Sequence, residues 1–141
     1  MNPQRVNERG IRYHRACSAR LRGFELSFDK ASTQHPGVGH ANLVYSPNAR
    51  VEGVLYHLTS ADEIYKMDRF ERTPVNYSRE VVEVESAEGN LYTWTYFANP
   101  AVRRAGLNPP RSYLSHLLAG RPFLSAGYYE RLADWPCDED R

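Results

Sequence analysis

Apolar residues two apart dominate the first third of the chain. Ala19 and Leu21, then Phe24, Leu26 and Phe28, predict a long half-buried strand from Ala16, with Gly23 shifting the alternation as a bulge or bend. Before it, Asn2-Pro3 places a capping side chain ahead of a proline and predicts one or two helical turns through Val6 and Arg9, stopped by Gly10. Residues 31–40 are polar and carry Pro36, Gly37 and Gly39, which reads as a surface loop. Ala41–Tyr45 and Val51–Leu58 predict two short strands folded into a hairpin around Ser46-Pro47-Asn48. The period then changes. Ile64, Met67 and Phe70 recur at helical spacing behind Thr59 or Ser60 as cap, with Asp62 and Glu63 at the positive end. Tyr77–Val84 and Leu91–Phe97 predict a second hairpin around 87–90, with Val82 and Val84 on one face and Tyr92, Trp94 and Tyr96 on the other. Asn108-Pro109-Pro110 breaks the chain ahead of two closing helices, Ser112–Ala119 and Ser125–Leu132. Hairpin strands followed by helices predict an α+β domain on an antiparallel or mixed sheet.

Composition narrows the function classes. At 141 residues, 41% hydrophobic and 12% aromatic, the chain has the material for one core, so residues 1–141 are expected to form one domain with a polar tail over 137–141. Eighteen Lys and Arg against 17 Asp and Glu leave a net charge of +1, which argues against nucleic acid as a partner. The cluster Arg12, Arg15, Arg20 and Arg22 reads as a solvated strand face. Cys17 and Cys137 are far apart and suggest neither a disulfide framework nor a zinc site. No apolar run approaches the ~20 residues of a membrane helix, and the opening residues do not resemble a signal peptide, so a soluble cytoplasmic protein is expected.

One segment carries the chemistry. In Met67-Asp68-Arg69-Phe70-Glu71-Arg72-Thr73-Pro74-Val75-Asn76-Tyr77-Ser78-Arg79, a helix gives way to a strand at an acid, Glu71. Asp68-x-x-Glu71 followed by Tyr77-x-Arg79 resembles the γ-glutamylcyclotransferase and AIG2-like family. The rest of the chain keeps that family's order: Ala19-x-Leu21-x-Gly23-Phe24, Gly39-His40-Ala41-Asn42-Leu43, Val51-x-Gly53-Val54-Leu55-Tyr56, Pro109-Pro110-Arg111-Ser112-Tyr113 and Leu124-x-x-x-Tyr128-Tyr129. The resemblance implies a small, partly closed barrel-like sheet with short helices around it. It also implies cyclisation of a γ-glutamyl group, whose α-amine attacks its own γ-carbonyl and expels an amine or amino acid, leaving 5-oxoproline.

That reaction needs a group that removes a proton from the amine and returns one to the departing nitrogen, and the resemblance assigns it to Glu71. For that task Glu71 has to be buried, where desolvation raises its pKa. Tyr77 is implied to hold the Glu71 carboxyl or to bind substrate, Tyr113 to bind substrate from the opposite wall, and Asp68 and Arg79 to support the segment as a pair. No metal or organic cofactor is implied; the partner is a small γ-glutamyl molecule.

The family's first strand ends in Tyr-Gly-Ser-Asn, a turn whose N–H groups hold the anionic end of the substrate, and Met1 falls just after it. Three readings are open: a start placed downstream of the true one, which is favoured, a different segment in that place, or loss of catalysis. An absent strand leaves a bare sheet edge, so a monomer or a weak homodimer is expected. The rival reading is a catalytically inactive domain binding a small acidic metabolite or a partner. The two differ at Glu71, which a binding domain tolerates exposed or paired with an arginine. Other motifs fail: His14, His35, His40, His57 and His116 lack metal-ligand spacing, Pro36-Gly37-Val38-Gly39 is no phosphate loop, and Cys17 with His14 lacks the setting of a thiol nucleophile.

Overall fold

The structure, a computed structural model, describes residues 1–140. Helix α1 spans Pro3–Glu8. The Asn2 side chain accepts the Gln4 N–H at 3.1 Å, which satisfies one of the free donors at the helix start, and Val6 is the residue that α1 buries. Two long strands follow, β1 (Tyr13–Ala31) and β2 (Gly39–Leu58), joined by the loop 32–38 and paired antiparallel.

The expected hairpin inside residues 41–58 does not form. β2 runs straight through Ser46-Pro47-Asn48, because β1 is long enough to pair with both of its halves. The register passes from Arg22↔Arg50 to Phe24↔Tyr45, so residues 46–49 of β2 stand opposite Gly23 alone. Gly23, at φ 86, supplies the left-handed backbone of this bulge, and Pro47, which has no N–H to give a ladder, is tolerated inside it.

A 3₁₀ turn, Ala61–Glu63, leads into α2 (Ile64–Phe70), and β3 (Tyr77–Ser86) and β4 (Gly89–Ala98) form the second hairpin. Ser86 pairs with Gly89, so the connection is the two residues Ala87 and Glu88, tighter than the sequence suggests, with Gly89 at φ 102. The strand order is β2-β1-β3-β4, antiparallel at every step and not mixed, and β1 meets β3 at Arg20↔Glu85. The sheet is open, but its two edges meet at one end. There the Asn42 side chain of β2 accepts the Ala98 N–H of β4 at 2.8 Å while donating to Asp29 at 2.9 Å. Arg12, Arg15 and Arg22 are exposed and pair with Glu63, Glu88 and Glu85.

Two apolar clusters hold the fold. Leu21, Leu55 and Val84 pack beneath the β1–β2–β3 surface. Phe28, Leu114 and Leu132 fasten α3 (Arg111–Leu118) and α4 (Ala126–Ala133) against the far end of β1, with Trp135 edge-on to Phe28 at 5.0 Å. Each of these side chains contributes roughly 1.5–3 kcal/mol by leaving water. Ser125 caps α4 and donates both its N–H and its hydroxyl to the buried Glu52 carboxylate of β2, each at 2.7 Å. This second cluster fixes the position of Tyr113 on α3.

Candidate active site

α2 delivers Glu71. Ser60 opens the element by accepting the Asp62 N–H at 3.2 Å, and the buried Glu63 carboxylate pins its first turn through Arg12 and Lys66, each at 2.5 Å. Glu71 caps the end of the helix, its N–H donating to the Met67 carbonyl at 2.9 Å. The chain then turns sharply through Arg72 at φ 50, a left-handed conformation that a non-glycine residue adopts only when its surroundings hold it there, and through a cis Thr73–Pro74 bond. Val75 and Asn76 both donate to the Arg72 carbonyl, at 2.8 and 2.9 Å. Asn99, just past β4, clamps the outside of the turn by donating to the Pro74 and Val75 carbonyls at 2.7 and 2.9 Å. Tyr77 follows Glu71 by six positions, and this turn brings both to the same cavities.

Glu71, Tyr77 and Tyr113 line two adjoining cavities of about 390 and 320 Å³. Among the described residues no hydrogen bond or salt bridge engages the Glu71 carboxyl. Loss of water raises its pKa above the ordinary carboxylate value, against the pull of Arg9, Arg5 and Lys30. The same three cations and Arg72 line the larger cavity, where Glu71 is the sole acid. The carboxyl is therefore neither paired with an arginine nor turned out to solvent.

The two tyrosines meet at Ala41. Tyr77 donates its hydroxyl proton to the Ala41 carbonyl at 2.8 Å, so it does not hold the Glu71 carboxyl. Tyr113 accepts the Ala41 N–H at 3.1 Å, which leaves its own proton free. Burial pushes the pKa of both hydroxyls up, so each is a neutral donor at physiological pH. Asp68 and Arg79 lie 3.5 Å apart and line neither cavity. Tyr96 donates to Asp68 at 2.6 Å, and the Arg79 guanidinium sits 4.8 Å over the Trp94 ring, so this group ties α2 to the β3–β4 hairpin.

The family model described as Gamma-glutamyl cyclotransferase, AIG2-like matches residues 2–115. The chain belongs to that family. Its fold is that of a solved gamma-glutamyl cyclotransferase, with a TM-score of 0.82 at 21% identity over 97% of this chain and 83% of that one. A human protein, loc79017, described as uncharacterized, gives 0.83 at 22% identity over 98% and 83%. YkqA from Bacillus subtilis gives 0.76 at 20% identity over 97% of this chain and 52% of its own. No curated protein matches the chain.

In this AIG2-like chain the sequence reasoning missed Lys30, Asn42 and Asn99. Lys30 carried a signal, because the inward series Phe24, Leu26, Phe28 continues two residues further to it. The histidines His40 and His116, passed over for lack of metal-ligand spacing, stand in the cavity wall; the His40 ring lies 4.8 Å from that of Tyr113. Among the described residues no three His, Cys, Asp or Glu side chains are grouped to hold a metal ion, and no helix is long and apolar enough to cross a membrane.

Proposed function

We propose that this AIG2-like protein releases 5-oxoproline from a γ-glutamyl amino acid or γ-glutamylamine, with Glu71 as the acid and base. The observation that carries the reading is the Glu71 carboxyl itself: desolvated, unpaired, and set where two cavities adjoin. The ionised carboxylate takes a proton from the substrate's α-ammonium. The freed nitrogen attacks the γ-carbonyl carbon and forms the new C–N bond. The tetrahedral intermediate then collapses as Glu71 returns that proton to the departing nitrogen and the bond to it breaks; the second proton shed by the ring nitrogen passes through the same carboxylate to the released amine, which leaves as an ammonium. A raised pKa suits both halves, because the proton is held at modest cost and released readily. Tyr113 contributes the free hydroxyl proton as a donor to substrate, while Tyr77 acts through Ala41 by fixing the wall on which Tyr113 leans. Asp68 and Arg79 support the helix that carries Glu71.

Incubation with a panel of γ-glutamyl amino acids and γ-glutamylamines, with 5-oxoproline measured by mass spectrometry, tests the reading. Release that disappears in Glu71→Gln supports it. No release from any member of the panel refutes it and favours the binding-domain alternative.

A further inference from the structure

Lys30 closes β1 with only 5% of its surface exposed, and it lines the larger cavity together with Glu71. Among the described residues its ammonium has no hydrogen-bond or salt-bridge partner. Asp29, its neighbour in sequence, is already engaged by Arg103 at 2.8 Å and Asn42 at 2.9 Å and lies outside this cavity. The Lys30 stem is buried while its ammonium opens to the cavity with no counter-charge from the protein, which leaves it free to meet a ligand anion. Arg5 in α1, Arg9 at its cap and Arg72 in the turn after α2 add three more cations to the same cavity, against the single acid Glu71. Such a cavity suits a ligand with more than one anionic group.

We propose that Lys30 is a specificity residue that binds a carboxylate on the departing half of the substrate, so that the site prefers γ-glutamyl amino acids to γ-glutamylamines. The inference rests on the cyclotransferase reading and refines it. The cyclising nitrogen and the glutamyl α-carboxylate share one carbon, so bringing that nitrogen to Glu71 brings the α-carboxylate to the cations nearest Glu71. Arg5 and Arg9 reach the cavity from α1 and its cap and Lys30 from β1, so the glutamyl α-carboxylate and a second anion can be met by different elements. Lys30, in β1, is left for a second anion. A released amino acid carries one, and a released alkylamine does not.

γ-Glutamylalanine and γ-glutamylethylamine differ only in a carboxylate replaced by hydrogen. Their binding to the Glu71→Gln protein, which cannot turn them over, is measured by calorimetry at neutral pH. γ-Glutamylalanine is expected to bind about tenfold to a hundredfold more tightly, the range of a hydrogen bond between charged partners. Lys30→Met, added to Glu71→Gln, is expected to reduce that preference to within about threefold while leaving γ-glutamylethylamine unaffected; Lys30→Arg is expected to keep part of it. Lys30→Gln repeats the measurement if Lys30→Met does not fold. Equal affinity for the two ligands overturns the proposal, as does binding of neither. So does a Lys30→Met loss of the same factor on both, which moves Lys30 to the glutamyl α-carboxylate. Should the preference hold while the unsubstituted protein forms no 5-oxoproline, the cyclotransferase reading fails and the role of Lys30 as a carboxylate receptor stands.

Discussion

Tyr77 and Tyr113, one from β3 and one from α3, hold opposite ends of a single residue: Tyr77 donates to the Ala41 carbonyl at 2.8 Å, and Tyr113 accepts the Ala41 N–H at 3.1 Å. The strand ladder explains why both groups are available. Its register steps from Ser27↔Asn42 to Lys30↔His40, so Ala41 stands at an irregularity where β1 offers it no regular partner. A buried N–H or C=O left unpaired is costly, and the two side chains supply what the ladder omits.

The first prediction tests that coupling. Tyr77→Phe and Tyr113→Phe are each expected to lower stability by about 1–2 kcal/mol, because each orphans one polar group of Ala41. Once either bond is gone the segment can relax, so the double variant is expected to lose at least ~0.5 kcal/mol less than the sum. Denaturant unfolding of the four proteins checks it; strict additivity would show that the tyrosines do not act through the same residue.

Glu71 gives a prediction with a sign. Its folded pKa lies above the unfolded value, so the fold favours the protonated form. The contribution of this group is fully present below the unfolded pKa near ~4.3 and is lost as pH rises through the folded pKa. Glu71→Gln, neutral at every pH, is therefore expected to be more stable than the parent at pH 7, with the gap closing as pH falls below the raised pKa. In the same variant release of 5-oxoproline is expected to drop by at least about a hundredfold, in the range for loss of a general base. Thermal unfolding across pH, run beside the activity measurement, separates the two effects.

Much of this arrangement was legible before any coordinates. Local signals fixed α1, the bulge at Gly23, the helix ending at Glu71 and the β3–β4 hairpin, since a cap, a period of two or a period of 3.6 is written into neighbouring residues. Ser46-Pro47-Asn48 was misread for the opposite reason. Whether such a segment turns or bulges depends on how far its partner strand extends, and β1 is remote in sequence. Lys30, Asn42 and Asn99 were missed on the same ground: Asn42 reaches Ala98, Asn99 reaches Pro74 and Val75, and the solitude of Lys30 is visible only once Asp29 has met Arg103.

The root of α2 carries an acid-sensitive tie. Arg12 and Lys66 hold the Glu63 carboxyl at a pKa of about 2, well below the ordinary carboxylate range. The stabilisation from this depressed pKa is present above the unfolded value of ~4.3 and is lost as pH falls through the folded one. Acidification from pH 5 to pH 2 is expected to loosen α2, and with it the segment ending at Glu71. Glu63→Gln is expected to be less stable at pH 7 and to show a flatter decline over that window. Urea midpoints measured at intervals of pH decide it; parallel curves for the two proteins would remove Glu63 from the acid response.

Gly39 and Gly23 make a matched pair for separating steric need from backbone need. A Cβ on Gly39 would stand 1.9 Å from the Phe28 carbonyl oxygen and 2.8 Å from the Leu107 Cβ, and a backbone oxygen has no rotamer by which to withdraw. Gly39→Ala therefore has to part the start of β2 from β1, two residues from Ala41 and beside the His40↔Lys30 pair. It is expected to cost about 2–3 kcal/mol, at the upper end of overpacking, and to lower activity further than the stability loss explains, since the moving segment carries the tyrosine clamp. Gly23→Ala meets nothing within 4 Å and suffers only from its φ of 86, so about 1–2 kcal/mol and an unchanged KM are expected. If the two variants lose activity only in step with stability, the start of β2 does not position the site.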